Sequence, residues 1–134
     1  MSRALIIVLA IVVAVACERP SERAARERQF AGRMLQGTLA HPQSVVVGIA
    51  TGTDAAEVSF STPAPVGAVI VWYREALRIN GWEIKNEARE ADGTTVLYAQ
   101  NGNRPLWIRL RETVGAPGTT YSLIGAQVEG DTIR

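Results

Sequence analysis

Apolar residues between Val66 and Leu77 return at helical spacing: Val66, Val69, Ile70, Tyr73 and Leu77 form one stripe, flanked by Trp72 and Ala76. Arg74, Glu75 and Arg78 fall on the opposite side. The stripe opens behind Thr62-Pro63-Ala64-Pro65, where Thr62 is expected to act as N-cap and either proline suits a first turn that needs no backbone N–H. Asn80-Gly81 supplies a left-handed stop, and Trp82-Glu83-Ile84-Lys85 then alternates with period two. This is the one strong helix of the main body, so the strands around it must bury their apolar faces against it.

Those strands are legible on both sides. Ser44 to Ala50 is a β-branched run, Thr51-Gly52-Thr53-Asp54 reads as a turn, and Glu57 to Ser61 alternates with Val58 and Phe60 on one face. After the helix, Ala91-Asp92-Gly93 is a hairpin turn by composition. Thr94 to Gln100 and Leu106 to Arg111 form a second hairpin around Asn101-Gly102-Asn103. Its two-residue turn is either Asn101-Gly102 or Gly102-Asn103; the two registers differ by two residues, so the faces are the same in both. Thr95, Leu97 and Ala99 share the core face with Leu106, Ile108 and Leu110. Val96, Tyr98, Trp107, Arg109 and Arg111 share the other. Trp beside Tyr and Arg on a face directed away from the helix is the composition of a binding hot spot. Tyr98, Trp107, Arg109 and Arg111 are therefore the candidate partner-binding residues. The competing expectation is that Phe30 to Leu35 folds back and covers this face as a second core layer. A breaker-rich loop, Val114 to Gly118, precedes a last strand from Thr120 to Val128, and Gly130 to Arg134 is a polar tail.

Upstream of the strands, Pro20-Ser21 opens a helix expected to run from Glu22 to Leu39, with Phe30, Ala31, Met34 and Leu35 on one face. Its first half is mixed in charge and reads as solvated, its second half as a docking segment; a face lying on anionic lipid and a partner-binding helix are the alternatives. Gly37 and His41-Pro42 mark its end. The first residues read as a leader: a short positive region at Met1-Ser2-Arg3, an unbroken apolar run from Ala4 to Val15, and Ala14-Val15-Ala16-Cys17. A run of about a dozen apolar residues suits a signal-peptide core and is too short to span a bilayer. Ala14-Val15-Ala16 fits ordinary signal peptidase. The same residues with Cys17, the one cysteine in the chain, resemble the lipobox of bacterial lipoproteins. That resemblance implies acyl chains on Cys17 and attachment to the membrane through them, since several chains anchor almost irreversibly where one holds only marginally. It also implies the outer membrane, facing the periplasm, because Glu18 stands where Asp would retain the protein at the inner membrane. The resulting division is a signal peptide at 1–16, a lipidated tether and docking helix at 17–43, and a domain at 44–134.

The order strand, strand, helix, four strands predicts an α+β fold, a two-layer sandwich in which one curved antiparallel sheet of five to six strands packs on the central helix. The pattern Val69-x-x-Trp72-Tyr73-x-x-x-Leu77-x-x-x-Gly81-Trp82, followed by strands, resembles small bacterial exported proteins and lipoproteins of unknown function, and the helix-grip domains of outer-membrane assembly lipoproteins. That resemblance spans Phe60 to about Val128 and carries over no catalytic residue.

Composition changes this picture little. The 134 residues are 47% apolar and 20% charged with a formal net charge of +1, which gives no support to a nucleic-acid partner. One Cys and one His, His41, form no transition-metal cluster. His41 lies in the linker with no nucleophile motif, and the carboxylates Glu83, Glu87, Glu90 and Asp92 read as solvated strand and turn residues. No cofactor is expected. The leading expectation is a non-enzymatic envelope lipoprotein that binds an envelope protein. The alternatives are an apolar-ligand or lipid carrier with a cavity lined by Trp72, Tyr73 and Trp82, and an enzyme.

Overall fold

The computed structural model describes residues 19–128. The leader, Cys17 and the polar tail lie outside the described residues. Helix α1 (Pro20–Met34) is followed by β1 (Val45–Thr51), β2 (Ala55–Thr62), α2 (Val66–Ile79), β3 (Glu83–Arg89), β4 (Thr95–Asn101), β5 (Arg104–Glu112) and β6 (Thr119–Ala126). All six strands belong to one antiparallel sheet in the order β1-β2-β6-β5-β4-β3, so the fold is α+β as the patterning predicts. Only the β2–α2–β3 connection jumps. It carries the chain from one side of the sheet to the other edge, and β6 returns to close beside β2.

The core face follows from alternation. Phe60 pairs with Tyr121, Tyr121 with Leu110, Val58 with Leu123, Leu123 with Ile108, and Ile108 with Leu97. Against these strands α2 buries Val69, Tyr73 and Leu77, with Arg74, Glu75 and Arg78 in solvent. The helix stop has the predicted chemistry: Gly81 takes φ +80°, its N–H donates to the Arg78 carbonyl, and the Trp82 N–H reaches back 2.9 Å to the Leu77 carbonyl. The helix start is a correction. Thr62 ends β2 and its hydroxyl accepts from the Ala64 N–H; Pro65 is the N-cap, and no side chain caps the helix. Two prolines in four residues keep the segment extended up to Val66, which moves the cap past Thr62.

The β4–β5 turn is Gly102-Asn103, because Asn101 pairs with Arg104, and the predicted faces hold. Helix α1 is shorter than its pattern, ending at Met34 rather than Leu39. It docks on the same face of the sheet as α2, over β1, β2 and β6, while α2 lies over β3 and β5. Gly125 makes this approach possible. A Cβ there would sit 2.6 Å from the Met34 carbonyl oxygen and 2.9 Å from Leu35 Cδ2. The expectation that Phe30 to Leu35 covers Trp107 is thus corrected: Ala31 is buried in the core with Tyr73 and Leu123, and Phe30, Met34 and Leu35 pack against that cluster.

Candidate functional site

The middle of the space between α2 and the sheet is filled by side chains, and an open pocket of about 670 Å³ lies at its edge, where Val66, Gly67 and Ile70 of α2 face Thr95 and Arg111 of the strands. Tyr73 and Trp82, two of the expected cavity-lining residues, are buried core, and Trp72 stands at the border with its ring edge-on to His41. Leu97, Leu106, Ile108 and Leu110 are wholly excluded from solvent beneath them. The large aromatic side chains that could have walled a ligand chamber fill it instead.

A groove opens one helix further along, between α1 and the β1–β2 hairpin. Ala31, Gly32 and Leu35 form one wall, Ile49, Val58, Phe60 and Leu123 the floor, and Gln36 to Thr38 with Ala40 the far side. Its volume is about 390 Å³, within the range of small-molecule sites. Gly32 leaves this wall of the groove open, since a Cβ there would meet no atom within 4 Å. Two large apolar side chains outside the lining are exposed, Val46, which pairs with Phe60, at 56% and Leu39 at 53%. Arg28 is the one charged residue of the lining, and it has no hydrogen-bond or ion-pair partner among the described residues.

The chain between α1 and β1 runs as a strap between the two helices, tied down by core side chains. Trp82 Nε1 donates to the Gly37 carbonyl at 3.2 Å, Tyr73 Oη donates to the Leu39 carbonyl at 3.0 Å, and the His41 N–H donates to Tyr121 Oη at 3.0 Å. Ser44 Oγ shares a 2.6 Å hydrogen bond with the same Tyr121 hydroxyl, and Arg104 donates to the Met34 and Gln36 carbonyls. Two buried atoms of the strap, Thr38 Oγ1 and His41 Nδ1, have no hydrogen-bond partner among the described residues. These ties have a pH signature. Burial pushes the Tyr73 phenol far above its ordinary value of 10.0, and the adjacent Tyr121 hydroxyl adds to the effect. The folded-state pKa is the raised one, so this contribution to stability is fully present below the unfolded value and is lost as pH climbs beyond it. Above pH 10 the unfolded chain ionises Tyr73 and the folded one does not, a loss of up to about 1.4 kcal/mol per pH unit. Tyr73→Phe should cost about 1 kcal/mol at neutral pH and flatten this alkaline decline, read from urea melts between neutral and strongly alkaline pH.

The outer face of the sheet is bare of helix among the described residues. Tyr98 and Trp107 are paired across β4 and β5 and stack at 5.2 Å, both half-buried, with Ile124 next in the row. Arg109 and Arg111 are exposed beside them. Arg109 holds Glu90 at 2.9 Å, while Arg111 has no partner among the described residues. The structure thus brings the four predicted patch residues onto one surface. Ser59, Thr120 and Ser122 floor a shallow polar concavity of about 270 Å³ alongside the arginines.

The carboxylates do not converge. Glu87 pairs with Arg74, Glu83 with Lys85 and Glu90 with Arg109, all at the surface, while Asp92 accepts the Thr94 N–H in its turn. That hydrogen bond holds the Asp92 carboxyl below its usual range. Among the described residues no group of three or more His, Cys, Asp or Glu could hold a metal ion, and no helix is long and apolar enough to cross a membrane.

A family model described as START domain-like matches residues 42–118, more than half of the chain. The chain belongs to the START domain-like family. No curated protein and no solved structure matches it. The family match runs from the residue before Gln43 to the loop ahead of β6, so it takes in β1, β2, α2 and the meander up to β5. Helix α1 and most of the strap, which wall the groove in this START domain-like chain, lie outside the matched span.

The groove is the feature that periodicity alone missed. Its signals are the glycine in the apolar half of α1, Gly32, and the apolar Ile49 of β1. Both are visible in the chain, but neither says which helix will face which strand.

Proposed function

We propose that this START domain-like chain is a non-enzymatic binding module that holds an apolar ligand in the groove between α1 and the β1–β2 hairpin. One observation carries the reading: a groove of about 390 Å³ opens between α1 and the β1–β2 hairpin, and the Ile49, Val58, Phe60 and Leu123 side chains at its floor are all apolar. Membership of a family whose domains are generally binding modules supports it. Gly32→Trp tests it. The new side chain enters open space, and replacing a helix-interior glycine should leave stability unchanged or improve it by up to about 1 kcal/mol. Binding of a neutral apolar fluorophore such as N-phenyl-1-naphthylamine should weaken at least about tenfold, equivalent to about 1.4 kcal/mol. Undiminished binding in a folded Gly32→Trp variant would remove the groove from consideration.

The stacked Tyr98–Trp107 pair beside the exposed Arg111 favours a second reading, in which the outer face meets an envelope protein. Trp107→Ala serves as the control in the same titration. It should leave fluorophore affinity unchanged, and loss of a co-purifying envelope protein in that variant alone would support the second reading.

The leader resemblance adds an address to either reading: the module would be held at the outer membrane, facing the periplasm, by acyl chains on Cys17. The intact mass of the mature protein from cells checks this. A chain that starts at Cys17 with acyl mass added supports the anchor, and an unmodified N-terminus excludes it.

A further inference from the structure

We infer that the ligand is a single-chain amphiphile with a carboxylate head, a medium-chain fatty acid, seated with its head at Arg28 and its tail along the groove floor. This rests on the reading of the groove as an apolar-ligand site. Arg28, Ala31 and Gly32 stand at i, i+3 and i+4 on α1, so they share one helix face, and the C-cap Leu35 follows at i+7 in the same lining. At 1.5 Å per residue the guanidinium end lies about 10 Å along the axis from Leu35, which gives the groove a polar end and an apolar end. No acidic residue lines it, and the arginine has no partner within the described residues, so the only formal charge of the site is positive and free to be met. A guanidinium and a carboxylate can form paired parallel hydrogen bonds, a geometry that neither a hydroxyl nor a cationic head reproduces.

Size sets the chain length. At about 30 Å³ per water-sized group, roughly a dozen such groups fill the 390 Å³. That matches one chain of medium length.

Isothermal titration of the mature protein with decanoate, decanol and decyltrimethylammonium, all below their aggregation concentrations, tests the assignment. Decanoate should bind about two- to fivefold more tightly than decanol, as a partly exposed ion pair allows, and the ammonium should bind most weakly. Raised salt should shrink the preference. In Arg28→Glu the order of the two ions should reverse while decanol affinity stays the same. Equal affinities for all three, or an order that Arg28→Glu leaves untouched, would overturn the carboxylate assignment and leave the groove reading standing. Failure of all three to bind, decanol included, would overturn the groove reading itself.

Discussion

Trp82→Ala should cost the domain about 3–5 kcal/mol, as truncation of a buried tryptophan does. Trp82 is the first residue past the α2 stop and is buried, and its position does three things at once. Its indole fills core space between the end of α2 and the strap. Its Nε1 holds the Gly37 carbonyl, and its ring carries the Arg104 guanidinium 5.4 Å above it. Arg104 in turn donates to the Met34 and Gln36 carbonyls, so loss of the ring releases the C-terminus of α1 as well as the strap. Trp82→Phe separates bulk from hydrogen bonding. It keeps most of the apolar volume and should lose only about 1 kcal/mol, the value of one net hydrogen bond plus a small packing defect. Urea melts give both numbers. Hydrogen exchange at Gln36 to His41 should speed up in the alanine variant well beyond its global destabilisation. Similar melts for the two variants would show that the indole does not anchor the strap.

Leu77→Ala should cost about 2–5 kcal/mol, and Arg78→Ala, one residue on, less than about half a kcal/mol. Leu77 is 2% exposed and is the last buried residue of the α2 stripe. Its carbonyl also accepts the Trp82 N–H that closes the helix stop. Arg78 sits in solvent and pairs with Glu75 across one turn, an exposed i, i+3 pair that contributes little. Glu75 is held below its usual range by that arginine, yet both side chains are open to water, so the contrast between the two variants should remain large. Comparable losses in urea melts would mean that α2 presents a different face to the sheet.

The contrast between these neighbours was readable before any fold was known, and the reason is local. A stripe repeating every 3.6 residues and strands repeating every two say which side of each element is apolar. Hairpin chemistry then fixed the faces of β4 and β5 whichever turn was used. The start of α2 was less legible, because Thr62 has the right side chain for a cap and only the extended Pro63–Pro65 segment moved the helix start beyond its reach. Helix α1 is shorter than its pattern for a similar reason: the apolar pattern continues through Leu39, but Trp82, Tyr73 and Arg104 capture the backbone past Met34 for the strap.

What the sequence determined by itself is the set of elements, their apolar faces and therefore the α+β class, since each of those depends on neighbours within a few positions along the chain. What only the tertiary structure decided is the site. Whether Phe30 to Leu35 would cover Trp107 or join α2 depended on a gap at Gly125, some ninety positions downstream of α1, which lets the Met34 backbone approach β6 closely. That docking choice left the outer face bare, filled the space under α2, and opened the groove beside Gly32. A concave surface is a relation between elements distant in sequence, and periodicity within one element carries no information about it.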